Sequence, residues 1–573
     1  MTIFLKGCHF FFDFDMIIEG GYMKKDVTMK KTSFIKGAFI TTLGIVLAKI
    51  MGILYVIPFY SIIGEKGGAL YGYAYTIYLV FMSLSSAGIP LAISKLVSEY
   101  QTLGYYGAKK KVFSIGKKLS LALGGFFFII IVLFAPLLAK AVMGDIVGGN
   151  SLEDITLVIR AIGTAILIVP LLSIYRGYFE GHRFMSPPSI SQVIEQLVRV
   201  TIIIFGSFIA LKIFHISLSL AVSIALLGAT VGAIISYLYL FIKHNKNKQK
   251  FNEKARPVNE PKITEKEILR KIVIYSIPFI LIDIFKSFYN YVDMVTVVKG
   301  LVRYAAFSVS DAETIYSMLS TWGQKFNMIL LSVSTGVIVS LIPNLTESIV
   351  KKDTDNVNKK ITQALSMLLF LTIPMTLGIS FLAKPIWMLF YGDSFYGPSV
   401  LSFYIFTGLF GGLFTAMITV LQTLKDYKSV FYGLLVGCLV KIILNYSLMS
   451  GFHKIGIPAY HGVILASILG YLTSFIYCLV ILNKKYDYNF ETLVHNLFEI
   501  LSGSILMVIG LVIFKWLIPI YSINRLMNIL IILAYMIIGM IIYFIYAYKS
   551  RIIERVFGKG LLNSIKKIIL KKA

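Results

Sequence analysis

Ionised side chains set inside long apolar runs are the groups in this chain equipped for chemistry. Lys49, Lys95, Lys286, Lys325 and Lys441 each interrupt such a run. A cation at bilayer depth costs ~3 kcal/mol on insertion scales, so it usually faces a bundle interior or a wet cavity. Lys49 lies near the middle of the first run, where snorkelling is hard; Lys95 lies nearer an end, where it is easier. Gln192, Glu195, Gln196 and Arg199 fall at i, i+3, i+4 and i+7, on one helical face. Glu195 and Arg199 are expected to pair, either to orient helices or to contact a substrate. Asp283, Lys286, Asn290 and Asp293 form another face, after Pro278. Intramembrane carboxylates suit Na+ or H+ coupling, and a salt bridge between helices is the equal alternative. This set predicts a cavity with a positive lining and a substrate that is at least partly anionic.

Other groups read more plainly. Tyr71, Tyr75 and Tyr78 share a face; they could stack on sugars, but an interfacial aromatic belt is the preferred reading. Arg176 reads as a membrane-edge anchor. Asp353-Thr354-Asp355 has the DxD form of a glycosyltransferase metal site, yet its short Lys-rich loop favours helix capping. The three cysteines give no disulfide framework and no metal spacing such as CxxC occurs. No cofactor or metal is expected, and coupling to Na+ or H+ would fall on Asp283 or Asp293.

These groups need helices to position them. The central stretch is Tyr78 to Tyr100, an apolar run broken at Ser85-Ser86-Ala87-Gly88-Ile89-Pro90 and resumed through Lys95 to Glu99. Gly88 and Pro90 free backbone groups that lipid cannot satisfy, so the break must face protein or a cavity. Paired interrupted helices mark binding sites in transporters. Leu341-Ile342-Pro343 ahead of Glu347 is the weak counterpart in the second half.

The 573 residues are 57% hydrophobic with mean hydropathy +0.81. Repeated apolar runs of 18 or more residues define an all-α polytopic membrane protein. Fourteen spans are expected, at about 35–63, 69–103, 117–143, 155–179, 189–213, 217–242, 269–297, 315–345, 360–383, 398–424, 427–449, 461–482, 496–518 and 527–548. The net charge of +27 sits in alternate loops, which makes those loops and both termini cytoplasmic and points to anionic phospholipid rather than nucleic acid. Residues 1–28 read as a disordered tail or an over-extended start. Residues 29–243 form one six-helix lobe, 244–267 a basic linker, and 268–483 a second six-helix lobe. Residues 484–549 add two further helices and 550–573 a basic tail. Short outer loops leave no room for an external catalytic domain.

Several runs carry a family resemblance: Ala48-Lys49-Ile50-Met51-Gly52, GIPLAISKLVSEY, Tyr175-Arg176-Gly177-Tyr178-Phe179-Glu180-Gly181 and Ser191 to Val200. Ser340-Leu341-Ile342-Pro343, Leu421-Gln422 and Leu439-Val440-Lys441 continue it. They resemble the stage V sporulation protein B-like branch of the multidrug/oligosaccharidyl-lipid/polysaccharide exporter superfamily, which includes the lipid II flippases. The resemblance implies two six-helix lobes around a central cavity, with two C-terminal helices forming a lipid groove. It implies alternating access, in a bacterial plasma membrane, for an undecaprenyl-diphosphate-linked oligosaccharide. Lys49 then falls at a cavity arginine of those flippases, Tyr55 replaces their second one, and Lys325 lies close to a cationic position of their eighth span. Lysine is a poorer bidentate diphosphate ligand than arginine.

The reading is a non-enzymatic flippase for a lipid II-like peptidoglycan or spore-cortex precursor. The alternatives are a flippase for a capsule or teichoic acid precursor, or a cation-coupled multidrug exporter. Cell-wall synthesis machinery is a further candidate partner.

Overall fold

The computed structural model describes Gly44, residues 47–144, 146, 148–252, 260–522 and 524–557. The expectations for residues 1–28 and for most of the basic tail lie outside them. Among the described residues the fold is helical throughout, with no strand.

The N-terminal helices are α1 (Val56–Ser86), α2 (Ile89–Leu103), α3 (Tyr106–Met143), α4 (Leu152–Gly181), α5 (Ser186–Thr201) and α6 (Leu218–Lys246). The second set is α7 (Glu265–Ala305), α8 (Val309–Ser317), α9 (Gln324–Val350), α10 (Thr354–Phe381), α11 (Ala383–Tyr391), α12 (Gly397–Thr423), α13 (Tyr427–Lys454) and α14 (Ala459–Tyr486). Two more follow, α15 (Glu491–Phe514) and α16 (Arg525–Lys549). Twelve helical stretches among the described residues are long and apolar enough to cross a membrane. The first and seventh expected spans are not among the twelve. Part of the first lies outside the described residues, and α7 is continuous but carries ten charged side chains.

Glycine sets the two turns that matter. Gly64, at φ 64°, turns the chain inside α1 between the first span and the second. Gly88, at φ 72°, precedes α2, and Pro90 sits in the first turn of that helix, where a missing N–H is harmless. The break packs against protein on two sides. A Cβ on Gly88 would lie 2.8 Å from the Ser276 carbonyl of α7, and one on Gly177 of α4 would lie 2.4 Å from the Pro90 carbonyl. Ser85 and Ser86 are buried and bond back to the Met82 carbonyl. Gly88 and Pro90 therefore join helices rather than line a cavity.

The proposed counterpart at Leu341-Ile342-Pro343 is not a break. α9 runs through it as one helix, because no glycine there takes up a positive φ. The irregularity of this span lies at its other end, in a π turn over Met318–Trp322.

The two lobes share one core at the end carrying Gly64. Trp322 is fully buried between Phe59, Tyr60 and Tyr391, with ring centroids 5.9, 5.1 and 5.6 Å away. Thr321 Oγ1 donates to the Gly68 carbonyl at 2.9 Å. Buried Asn150 gives its backbone N–H and Nδ2 to the Glu313 carboxylate, tying the α3–α4 loop to α8. Toward the other end the second lobe has a separate apolar core, shared with α15 and α16.

The described ends of the linker dock on the first lobe. Glu260 accepts from the backbone N–H of Gly107 at 2.9 Å and of Ala108 at 2.5 Å, at the start of α3. Lys109 Nζ donates to the Phe251 carbonyl at 2.6 Å, and the Phe251 ring is buried in the first lobe. A carboxylate at a helix N-terminus is favoured by the orphan N–H groups there.

Gly177→Ala should cost ~1–3 kcal/mol, because its methyl meets backbone that cannot move aside. Gly125→Ala meets open space and should leave stability unchanged or slightly raised. Thermal unfolding of the two purified variants beside the parent checks this.

Candidate functional site

The charged groups assemble along the seam between the lobes, and local packing explains how. Gly228 and Gly232 of α6 let α5 approach so closely that a Cβ at Gly232 would lie 2.7 Å from the Glu195 carbonyl. With its back fixed there, α5 turns its Gln192–Arg199 face toward α4. Glu195 accepts from Arg176 at 2.8 Å and pairs with Arg199, the three side chains being 12–19% exposed. Arg176 Nε also donates to Ser191 Oγ at 2.8 Å. The edge-anchor reading of Arg176 is therefore corrected: it is an interior partner of Glu195. One carboxylate between two guanidinium groups leaves a net positive charge, and the buried Arg199 Nε has no acceptor among the described residues.

Arg199 faces a tyrosine surface. Tyr71, Tyr75 and Tyr78 stack along α1, with centroids 5.7 and 5.6 Å apart, and Tyr55 lies beside Tyr71. Tyr71 and Tyr78 are each 6% exposed. The belt reading is overturned, since a belt residue would show its ring to the membrane interface. These rings line the interior next to Arg199.

Two lysines cross the seam. Lys325, in the first turn of α9, donates to Tyr55 OH at 3.2 Å, its Nζ lying 5.1 Å from that ring's centroid. Lys49 reaches the other way, donating to Ser332 Oγ of α9 at 3.1 Å. A Cβ on Gly52, one turn after Lys49, would lie 3.5 Å from Gln196 Nε2, which brings the α5 face to the same seam. Both lysines are half-buried and neither meets a carboxylate among the described residues.

The other candidates are placed differently. Lys441 is fully buried and saturated: it pairs with Asp293 at 2.5 Å and donates to Asn445, the Val463 carbonyl and Ser467. It is a structural ion pair inside the second lobe, not an open cation. Asp293 also borders a narrow interlobe cavity with Tyr75, Asn290, Tyr316, Gln324 and Tyr404. Asp283 is exposed, about 15 Å along α7 from Asp293 at a helical rise of 1.5 Å per residue, so the two cannot share one ion. Lys286, half-buried one turn from Asp283, has no hydrogen bond among the described residues. Lys95 is exposed and stands 3.9 Å over the Tyr275 ring, outside the Lys49–Lys325 group. Asp353 caps α10 through the Asn356 N–H, which holds its carboxyl below the usual range.

An apolar groove of about 590 Å³ opens elsewhere on the second lobe. Its walls are α10 (Leu369, Ile373), α12 (Phe406, Leu413), α14 (Phe475) and α15 (Leu497). Of the last two helices, α15 lines this groove. α16 packs on the far side of α15, where Gly503 and Gly510 admit Tyr546 and Ile542.

Sequence reasoning reached Tyr55 only through the family resemblance and missed Ser332, Asn150 and Glu313. Hydroxyl and amide partners across a seam leave no periodic signal. The glycine after Arg176 was the available hint, because a close-packed helix end is interior.

Two helical lobes with a polar seam between them and an apolar groove on the second define a multi-pass helical membrane protein. The chain belongs to the polysaccharide biosynthesis protein family, whose model matches residues 34–347. It is 30% identical over 546 residues to "Lipid II flippase MurJ" of Bacillus subtilis (strain 168), covering 94% of this chain and 99% of that one. It is 29% identical over 214 residues to "Stage V sporulation protein B" of the same organism, covering 37% of this chain and 39% of that one. Among solved structures, "Lipid II flippase MurJ, inward closed conformation" superposes with a TM-score of 0.67 at 16% identity, over 90% of this chain and 99% of that one.

Lys441→Met should cost ~3–5 kcal/mol, since it strands the largely buried Asp293 carboxylate without its cation. Adding Asp293→Leu should recover most of that loss. Unfolding of the single and double variants checks both statements.

Proposed function

We propose that this protein is a flippase for an undecaprenyl-diphosphate-linked sugar precursor of the lipid II type, acting by alternating access across the plasma membrane. The observation that carries the reading is the Lys49 and Lys325 pair. Two cations from opposite lobes reach across one seam, and among the described residues each donates to a hydroxyl. Neutral partners satisfy an ammonium without cancelling its charge, so an arriving diphosphate would gain a charge-assisted hydrogen bond at either lysine, the two contacts lying about 10 Å apart along α9 at 1.5 Å per residue. Arg199 adds charge, and the half-buried Tyr75 ring offers stacking surface for sugar. The apolar groove suits a polyprenyl tail. Residue placement along the basic loops supports cytoplasmic termini, with pickup from the inner leaflet and release at the outer one.

A drug exporter for cations would need an open carboxylate at the seam. Glu195 and Asp293 are both already engaged by bases, which weighs against that reading. The driving force in this proposal is the membrane potential, which draws an emptied, cation-lined cavity back inward. Ion coupling at Asp293 would require release of Lys441.

In cells depleted of their own lipid II flippase, the chain should restore growth and outer-leaflet lipid II. Lys49→Ala at equal expression should fail to do so. A well-expressed parent that gives no rescue would remove lipid II as the substrate and leave other polyprenyl-linked glycans.

A further inference from the structure

A second positive site lies away from the seam, on the first lobe at the end where the linker docks. Lys110, Lys117 and Lys248 border a pocket of about 170 Å³ with Phe113, His244 and Phe251. The lysines come from the start of α3 and from the short helix Lys248–Asn252 that opens the linker. Among the described residues no carboxylate lines the pocket and none of the three lysines is ion-paired. The Lys117 amine stands 4.6 Å from the Phe113 centroid.

The aromatic floor is a built feature. Phe113 stacks on Tyr178 at 4.0 Å, and His244 lies 5.1 Å from Phe113 and 5.0 Å from Phe251. Buried Phe251 is held by the Lys109 bond to its carbonyl, so the linker itself closes one wall. Three like charges around a half-open hollow repel one another unless an anion sits among them. The hollow is smaller than a drug-sized site of ~300–1,000 Å³ and suits one phosphate with a short substituent.

We propose that this pocket binds the phosphate ester of an anionic headgroup, with the lysines on the phosphate oxygens and the substituent against the rings. Basic pockets at the cytoplasmic edge of membrane helices recognise anionic lipid in this manner. The same chemistry would accept a soluble phosphate ester. Because Phe251 belongs to the linker, occupancy would hold the linker against the first lobe.

The test is binding to the purified full chain in neutral detergent. The probes are dioctanoyl phosphatidylglycerol, dioctanoyl phosphatidylcholine and glycerol phosphate, with the Lys117→Gln/Lys248→Gln variant beside the parent. The parent should bind phosphatidylglycerol above phosphatidylcholine. The double variant should bind it at least about tenfold more weakly, as expected for losing one or two charge-assisted bonds, at an unchanged unfolding temperature. Glycerol phosphate bound as tightly as the lipid, and lost in the variant, would assign the site to a soluble ester; lipid binding alone would assign it to a headgroup. If the double variant does not purify, each single variant carries the test with a smaller loss. Equal binding of the anionic probes by parent and variant would overturn the proposal. So would equal affinity of the parent for phosphatidylglycerol and phosphatidylcholine.

Discussion

Charge held inside an apolar bundle must find a partner, and the choice of partner decides what each group can do. Lys441 meets Asp293, Asn445, Ser467 and a carbonyl, so every proton of its ammonium is used within one lobe. Glu195 is shared by two arginines from neighbouring helices. Lys49 and Lys325 instead reach across the seam to single hydroxyls. A hydroxyl relieves the desolvation of an ammonium but leaves its field intact. The saturated groups hold the lobes in shape. The lightly held ones are the cations to which the proposed function assigns the diphosphate.

Close backbone approach is what allows this arrangement. Glycines at 228 and 232 seat α5 so that its polar face points inward, and Gly88 with Gly177 packs the helix break between α4 and α7. At the far end an aromatic cluster around Trp322 joins the lobes into one core, while the second lobe keeps its own core toward the other end. A seam that is apolar and tight at one end, and polar along its length, is compatible with the rocking of two lobes that the proposed function invokes. Such rocking repacks one interface at a time rather than the whole bundle.

Much of this was legible in the sequence. Apolar run length gave the helices, and the i, i+3, i+4, i+7 spacing gave the α5 face and its internal Glu195–Arg199 pair. What failed was the inference from one helix to its neighbours. Lys441 looked the same as Lys325 in the sequence, yet one is walled in by α14 and α7 and the other stands at the seam. The tyrosine face of α1 had the spacing of a membrane belt, but burial against Arg199 is a tertiary fact. Pro343 resembled Pro90, and only the glycine two residues before Pro90 made a break. The groove was expected to involve the last two helices, and α15 lines it. Small residues on the far face of α15 drew α16 away from it.

The most direct measurement is translocation of fluorescent lipid II in proteoliposomes, read as the fraction of probe reaching the opposite leaflet. Purified parent is compared with Lys49→Gln/Lys325→Gln and with Lys49→Arg/Lys325→Arg. The account predicts transport by the parent and by the arginine pair, which keeps both charges at the seam. It predicts loss with the glutamine pair at equal reconstitution. Undiminished transport by the glutamine pair would contradict the claim that cations across the seam carry the diphosphate.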